Sequence, residues 1–194
     1  MKSLTILIYS LLAVSIFKPV DSRAQILSVK TGLYDFTENT ASEFYILAPI
    51  LLAECKIWKS SQVDLRMSPG FSFNRTRYNS HYHYLYMIPL LTTVYYHLPN
   101  PDSKVFPSIG AGFSLLGKAD HNQDFNITHY ALAYGFHFTG RLNFFLKKDW
   151  LFFMDMTYNL LIPTVREEVN LSGIILTAGF NIPENKSRRQ ASRP

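Results

Sequence analysis

From His129 to Leu146 the chain alternates large apolar side chains with small or polar ones. One set is Tyr130, Leu132, Tyr134, Phe136, Phe138, Leu142, Phe144 and Leu146. The other is His129, Ala131, Ala133, Gly135, His137, Thr139, Arg141 and Asn143. A β-strand turns successive side chains to opposite faces, so this pattern builds one apolar wall and one small, polar wall; a helix would mix the two sets. The run is also far longer than the roughly 5–6 residues of an ordinary soluble strand.

The same two-residue period recurs along the chain. Val63, Leu65, Met67, Pro69, Phe71 and Phe73 alternate with Asp64, Arg66, Ser68, Gly70 and Ser72. Comparable alternation runs from Val105 to Gly117, Trp150 to Leu160 and Ser172 to Ile182. Ser28 to Phe36 and Tyr82 to Tyr96 are less regular. Glu43 to Trp58 is apolar on both faces in its first half; it is assigned as a strand, with a short helix as the rival. Eight strands result. Polar turn material separates them, including Ser60-Ser61, Pro99 to Asp102 and Lys147 to Asp149, with longer connections from Ala119 to Asn126 and Pro163 to Asn170. No helix-length amphipathic stretch interrupts the series, so an α/β fold is excluded and an antiparallel meander expected.

An eight-stranded alternating chain can turn its apolar face inward, as a soluble barrel, or outward to lipid. The small face decides between them. It is rich in Gly, Ala, Ser and Thr with scattered charges, which suits the cramped interior of an eight-stranded barrel. A face bathed in water would carry more Lys and Glu, yet charged residues make up only 17% of the chain. The expected fold is therefore an all-β, eight-stranded antiparallel up-and-down transmembrane β-barrel. Phe71, Phe73, Leu132, Tyr134, Phe136, Phe138, Phe152 and Phe180 are expected to face lipid. Tyr82, Tyr84, Tyr96, Tyr130, Trp150 and Tyr158 fall near strand ends, where an interfacial girdle belongs. Lys30, Glu54, Lys56, Asp64, Arg66, Arg141 and Asp155 fall on the interior face, as a structural salt-bridge network or a pore lining. Asp64 and Arg66 are expected to share one network with Arg141 or Asp155.

Three segments carry a family resemblance. Tyr84-Leu85-Tyr86-Met87-Ile88-Pro89-Leu90-Leu91 is similar to a "YLEIPLL" strand, Pro107-Ser108-Ile109-Gly110-Ala111-Gly112-Phe113 to "PYIGAG", and Leu176-Thr177-Ala178-Gly179-Phe180 to a closing strand. With the meander, these make residues 26 to 183 resemble the small outer-membrane β-barrels of Gram-negative bacteria, the porin-like or OmpA-type barrels. Met87 stands where that pattern usually has an acid, and the chain continues past its last strand into a basic tail. The resemblance implies insertion by the barrel-assembly machinery, outer-membrane lipids as partners and an outer-membrane location.

The ends of the chain are read separately. Lys2, the mainly apolar run Leu4 to Phe17 and the small residues Ser22 and Ala24 mark residues 1–24 as a secretory signal peptide. Residues 25–184 form the barrel and 185–194 a basic, disordered tail. The full chain carries +5; the signal accounts for +2 and the tail for +4, leaving −1 on residues 25–184. A basic face for nucleic acid is thus excluded. The single cysteine, Cys55, excludes a disulfide framework and a Cys-cluster metal site. His81 and His83 share a strand face and are read as a solvated strand end rather than a metal site. Asn-x-Ser/Thr sequons at Asn74, Asn126, Asn170 and Asn185 are inert in a bacterial envelope protein. No Ser-His-acid set stands out, so no catalytic residue, metal or cofactor is assigned. The expected role is structural, surface contact through loops, or weak passive permeation. The alternatives are a soluble exported barrel that binds an apolar ligand and an outer-membrane lipid-modifying enzyme.

Overall fold

In the computed structural model, the described residues are 27–38, 41–42, 45, 47–78, 81–98, 104–147, 150–164 and 169–181. The expected signal peptide and basic tail lie outside them. Eight strands follow in order: β1 (Leu27–Phe36), β2 (Leu47–Lys59), β3 (Val63–Tyr78), β4 (His81–His97), β5 (Val105–Asn122), β6 (Ile127–Lys147), β7 (Trp150–Pro163) and β8 (Gly173–Asn181). Each pairs antiparallel with its sequence neighbours. The first and last also pair, from Ser28↔Asn181 to Phe36↔Gly173, which closes the sheet into a barrel. Closure gives every strand a neighbour on both sides, which removes the open sheet edges that could recruit another chain along the barrel wall.

The alternation read from the sequence sets the two walls. Ile88 is 65% exposed and Phe136 63%, both on the outer wall, whereas Arg141 is 1% exposed and points inward. Phe71, Leu132, Tyr134, Phe138 and Phe180 also lie exposed on the outside. Phe73 and Phe152 share that wall but are partly covered by aromatic neighbours, Phe73 by Tyr84 and Tyr86 and Phe152 by Phe144 and Phe180. A soluble ligand-binding barrel required the aromatic set inside; the structure turns it outward.

Several boundaries differ from the sequence reading. β2 begins at Leu47 rather than Glu43; just before it, Ser42 N–H bonds Glu38 C=O and Tyr45 N–H bonds Ala41 C=O, as in a helical turn. The first half of the expected loop from Ala119 to Asn126 is strand, because β5 continues to Asn122, and the turn is confined to residues 123–126 before β6 starts at Ile127. The Asn122 side chain accepts the N–H groups of Asp124 and Phe125, and Asn126 takes a φ of 51°, a left-handed conformation that Asn tolerates. Register shifts at Lys56/Trp58 and Phe145/Lys147 break the parity near two turns at one end of the barrel. A bulge of this kind puts consecutive residues on one face, which accounts for the exposure of both Phe145 and Leu146.

The interior is packed in two layers. Near the end that carries the β1–β2 and β7–β8 connections, an apolar cluster joins Tyr34, Ile50, Leu52, Leu85, Met87, Leu116 and Ile175. Ala41, Tyr45 and Leu171 from those two connections pack into the same cluster and cap it. Tyr34 Oη donates to the Leu171 carbonyl at 2.5 Å. Towards the opposite end the interior becomes polar and charged.

Candidate functional site: the interior charge cage

Strand parity turns Lys30 of β1, Glu54 of β2, Asp64 and Arg66 of β3, Arg141 of β6 and Asp155 of β7 into the lumen. The structure joins all six. Arg141 donates to both Glu54 oxygens, at 2.9 and 2.6 Å, and to both Asp155 oxygens, at 2.5 and 2.7 Å. Lys30 Nζ bridges Glu54 at 3.1 Å and Asp155 at 3.0 Å. Arg66 reaches Glu54 at 2.6 Å and grips Asp64 through two bonds of 2.9 and 2.8 Å. Lys56 touches Asp64 at 3.5 Å from the edge of the cluster.

Three cations, Lys30, Arg66 and Arg141, thus meet three carboxylates, Glu54, Asp64 and Asp155, inside the barrel. Each of the six has a partner of opposite sign, which matters because an unpaired buried charge costs several kcal/mol. Glu54 is the hub, taking charge from Lys30, Arg66 and Arg141 and a 3.4 Å bond from Ser68. The Arg141–Glu54 pair crosses the lumen and ties β6 to β2, strands that are not neighbours in the sheet. Flat rings fill the remaining width: the Arg141 guanidinium lies 4.4 Å from the Tyr95 ring centroid and 4.2 Å from that of Phe153. The arrangement is a brace across the barrel.

Two histidine sites that the sequence reading did not assemble lie beside the cage. His137 sits between Thr93 Oγ1 and Ser114 Oγ, both at 2.8 Å. Gly112 makes room for it, since a Cβ there would stand 2.9 Å from the imidazole and 1.9 Å from the Thr92 carbonyl oxygen. His97 bonds Ser108 Oγ through Nδ1 at 2.7 Å and Asp64 through Nε2 at 2.9 Å. A serine, a histidine and a carboxylate are therefore in line, a constellation associated with acyl transfer. Its surroundings suit structure better. Ser108 is 1% exposed, its Oγ accepts a 3.0 Å bond from Asn143, and Arg66 already holds both Asp64 oxygens. β5 is paired on both edges here, so its N–H groups serve the ladder rather than an oxyanion. In sequence, Asp64, His97 and Ser108 shared only their inward parity and their closeness to strand ends.

Among the described residues, no group of three or more His, Cys, Asp or Glu side chains could hold a metal ion. On the outer wall, the small residues Ala111 and Gly140 leave an open groove of about 660 Å³ flanked by Val94, Tyr96, Ile109, Phe138 and Met156. Its walls are mainly apolar, without the convergent polar groups that orient a specific ligand.

A closed, eight-stranded antiparallel barrel with an apolar wall outside and a cluster of paired charges inside has the fold of the small outer-membrane β-barrels. Solved structures agree. Neisserial surface protein A matches with a TM-score of 0.57 at 15% identity, over 82% of this chain and 96% of that one. OprG of Pseudomonas aeruginosa matches with a TM-score of 0.55 at 10% identity, over 81% and 95% of the two chains. The outer membrane enzyme PagL matches with a TM-score of 0.51 at 11% identity, over 81% and 99%. No protein-family model matches the chain, and no curated protein matches its sequence.

Proposed function

We propose that this chain is an integral outer-membrane β-barrel with a plugged lumen, serving envelope structure and surface contact rather than catalysis or bulk permeation. The observation that carries the reading is the reversed polarity of the barrel. Its exposed wall bears Leu33, Leu51, Phe71, Ile88, Phe113, Phe136 and Leu160, while Lys30, Glu54, Asp64, Arg66, Arg141 and Asp155 are buried. Water would leave so large an apolar surface unsatisfied, whereas lipid covers it. The chain length of the strands supports the same reading: β3 to β7 run 14 to 21 residues, enough for the roughly 9–11 residues of a tilted crossing. With an exported N-terminus on the inner side, strand parity puts the connections after β1, β3, β5 and β7 at the cell surface. The apolar cluster then lies under the surface loops and the charge cage towards the periplasm. Lipids are the primary partner, and a surface ligand would meet these loops.

Cell fractionation followed by gel migration with and without boiling tests the membrane assignment. The expected result is a membrane fraction released only by detergent, with a mobility shift on heating. A soluble protein that migrates identically under both conditions would reject it. The plug is tested separately in planar bilayers. The apolar cluster and the Arg141–Glu54 brace block the lumen in series, so the reconstituted protein is expected to give no steady single-channel current at ±100 mV (roughly 2.3 kcal/mol per unit charge). Stable openings would restore the permeation role.

A further inference from the structure

We propose that Arg75, together with Tyr82, Tyr84 and His121, binds the phosphate of an outer-leaflet lipid head group. The inference rests on the membrane reading above. Arg75 follows Phe71 and Phe73 on the outward face of β3, opposite Tyr84 of β4, which in turn pairs with His121 of β5. Its guanidinium lies 4.2 Å from the Tyr82 ring centroid and 5.5 Å from that of Tyr84. Arg75 is exposed and forms no ion pair among the described residues. The contrast with the lumen is direct: Arg66 and Arg141 each hold two carboxylates, whereas among the described residues Arg75 lies against the aromatic faces of Tyr82 and Tyr84.

Height on the barrel identifies what it meets. From Tyr96 to Tyr86 the outward side of β4 carries Val94, Thr92, Leu90 and Ile88 between two tyrosines. Those ten steps, at about 3.4 Å each and tilted by about 40°, rise about 26 Å. That equals the apolar band of an outer-membrane barrel, about 25 Å tall. Tyr84 and its partner Arg75 stand one outward position higher, about 5 Å above the band, where head groups begin. Below them Phe73 packs on Tyr86 at 5.2 Å between centroids and faces the band itself.

The chemistry fits a phosphate. A guanidinium resting on a ring face keeps its in-plane N–H groups free to fork onto phosphate oxygens. The platform is fixed, since Tyr84 Oη donates to Gln123 at 3.0 Å. His121 uses Nδ1 on Thr128 at 3.0 Å, and its Nε2 has no hydrogen-bond partner among the described residues, so it supplies a second polar contact.

The test uses the full mature protein in nanodiscs containing bis-phosphorylated or dephosphorylated lipid A, with retained lipid counted by native mass spectrometry. Wild type is expected to retain the phosphorylated form preferentially. R75Q is expected to lose that preference by about tenfold, and R75K to keep part of it through charge without the fork. K104Q, which removes one charge at the opposite end, is expected to change nothing. Equal retention by wild type and R75Q, or an equal loss in K104Q, would overturn the site. Displacement of the lipid by millimolar inorganic phosphate would also overturn the lipid assignment, making this a site for free anions. A protein that fails to enter nanodiscs counts against the membrane reading, whereas one that enters without phosphate preference counts against this site alone.

Discussion

An E54A variant is expected to unfold at markedly lower urea concentration than wild type, with a loss of about 3–5 kcal/mol. Glu54 is bonded by Lys30, Arg66 and Arg141 at 2.6 to 3.1 Å. Its removal leaves three interior cations facing two carboxylates, in a space where water cannot replace the missing charge. E54Q is expected to fall in between, because the amide keeps one acceptor but places an N–H against the guanidinium groups. The comparison variant is K56A. Lys56 sits at the cage edge, contacts only Asp64 among the carboxylates at 3.5 Å, and is expected to cost about 1 kcal/mol or less. Equilibrium unfolding in lipid vesicles, read by tryptophan fluorescence and by the heat shift on gels, measures both. Equal losses for E54A and K56A would mean that the cage does not brace the barrel.

The second large effect belongs to the outer wall. F136R is expected to cost about 2–4 kcal/mol and chiefly to reduce the assembled, heat-modifiable fraction, since an arginine near the bilayer midplane has no partner there. Phe136 is 63% exposed and packs edge-on against Phe113 at 6.1 Å, so the substitution meets little steric resistance. In water such an exposed change would fall within about 0.5 kcal/mol. The size of the loss therefore reports the solvent around the barrel rather than the packing within it. F136L, which stays apolar, is expected to assemble normally. Normal assembly and stability of F136R would show that this wall does not face lipid.

These two variants separate what can be read along the chain from what cannot. Period-two alternation is a local property, because each strand residue's face follows from its neighbours. Strand number, antiparallel order and the outward orientation of Phe136 or Phe71 were therefore legible in the residues themselves. So was the inward parity of the six charged residues. The apolar cluster was only hinted at: β2 reads as apolar on both faces from Leu47 to Leu52, and Met87 replaces the usual acid. The structure explains both, since Ala48, Ile50, Leu52 and Met87 are all buried in the apolar half of the lumen.

Partners across the lumen were beyond the sequence. Arg141 and Glu54 are 87 residues apart, and Asp64, His97 and Ser108 come from three strands. Parity puts each side chain inside but says nothing about its height or angle around the axis. Those depend on how the strands tilt and on the register closed by β1 and β8. Strand lengths failed for a related reason: Ala119 to Asn122 has turn-like composition, but pairing with Ile127 to Tyr130 holds it extended. The chain by itself determined an eight-stranded barrel with two chemically distinct walls, because alternation acts residue by residue. Only closure of the barrel decided which interior charges meet, because that depends on eight registers acting together.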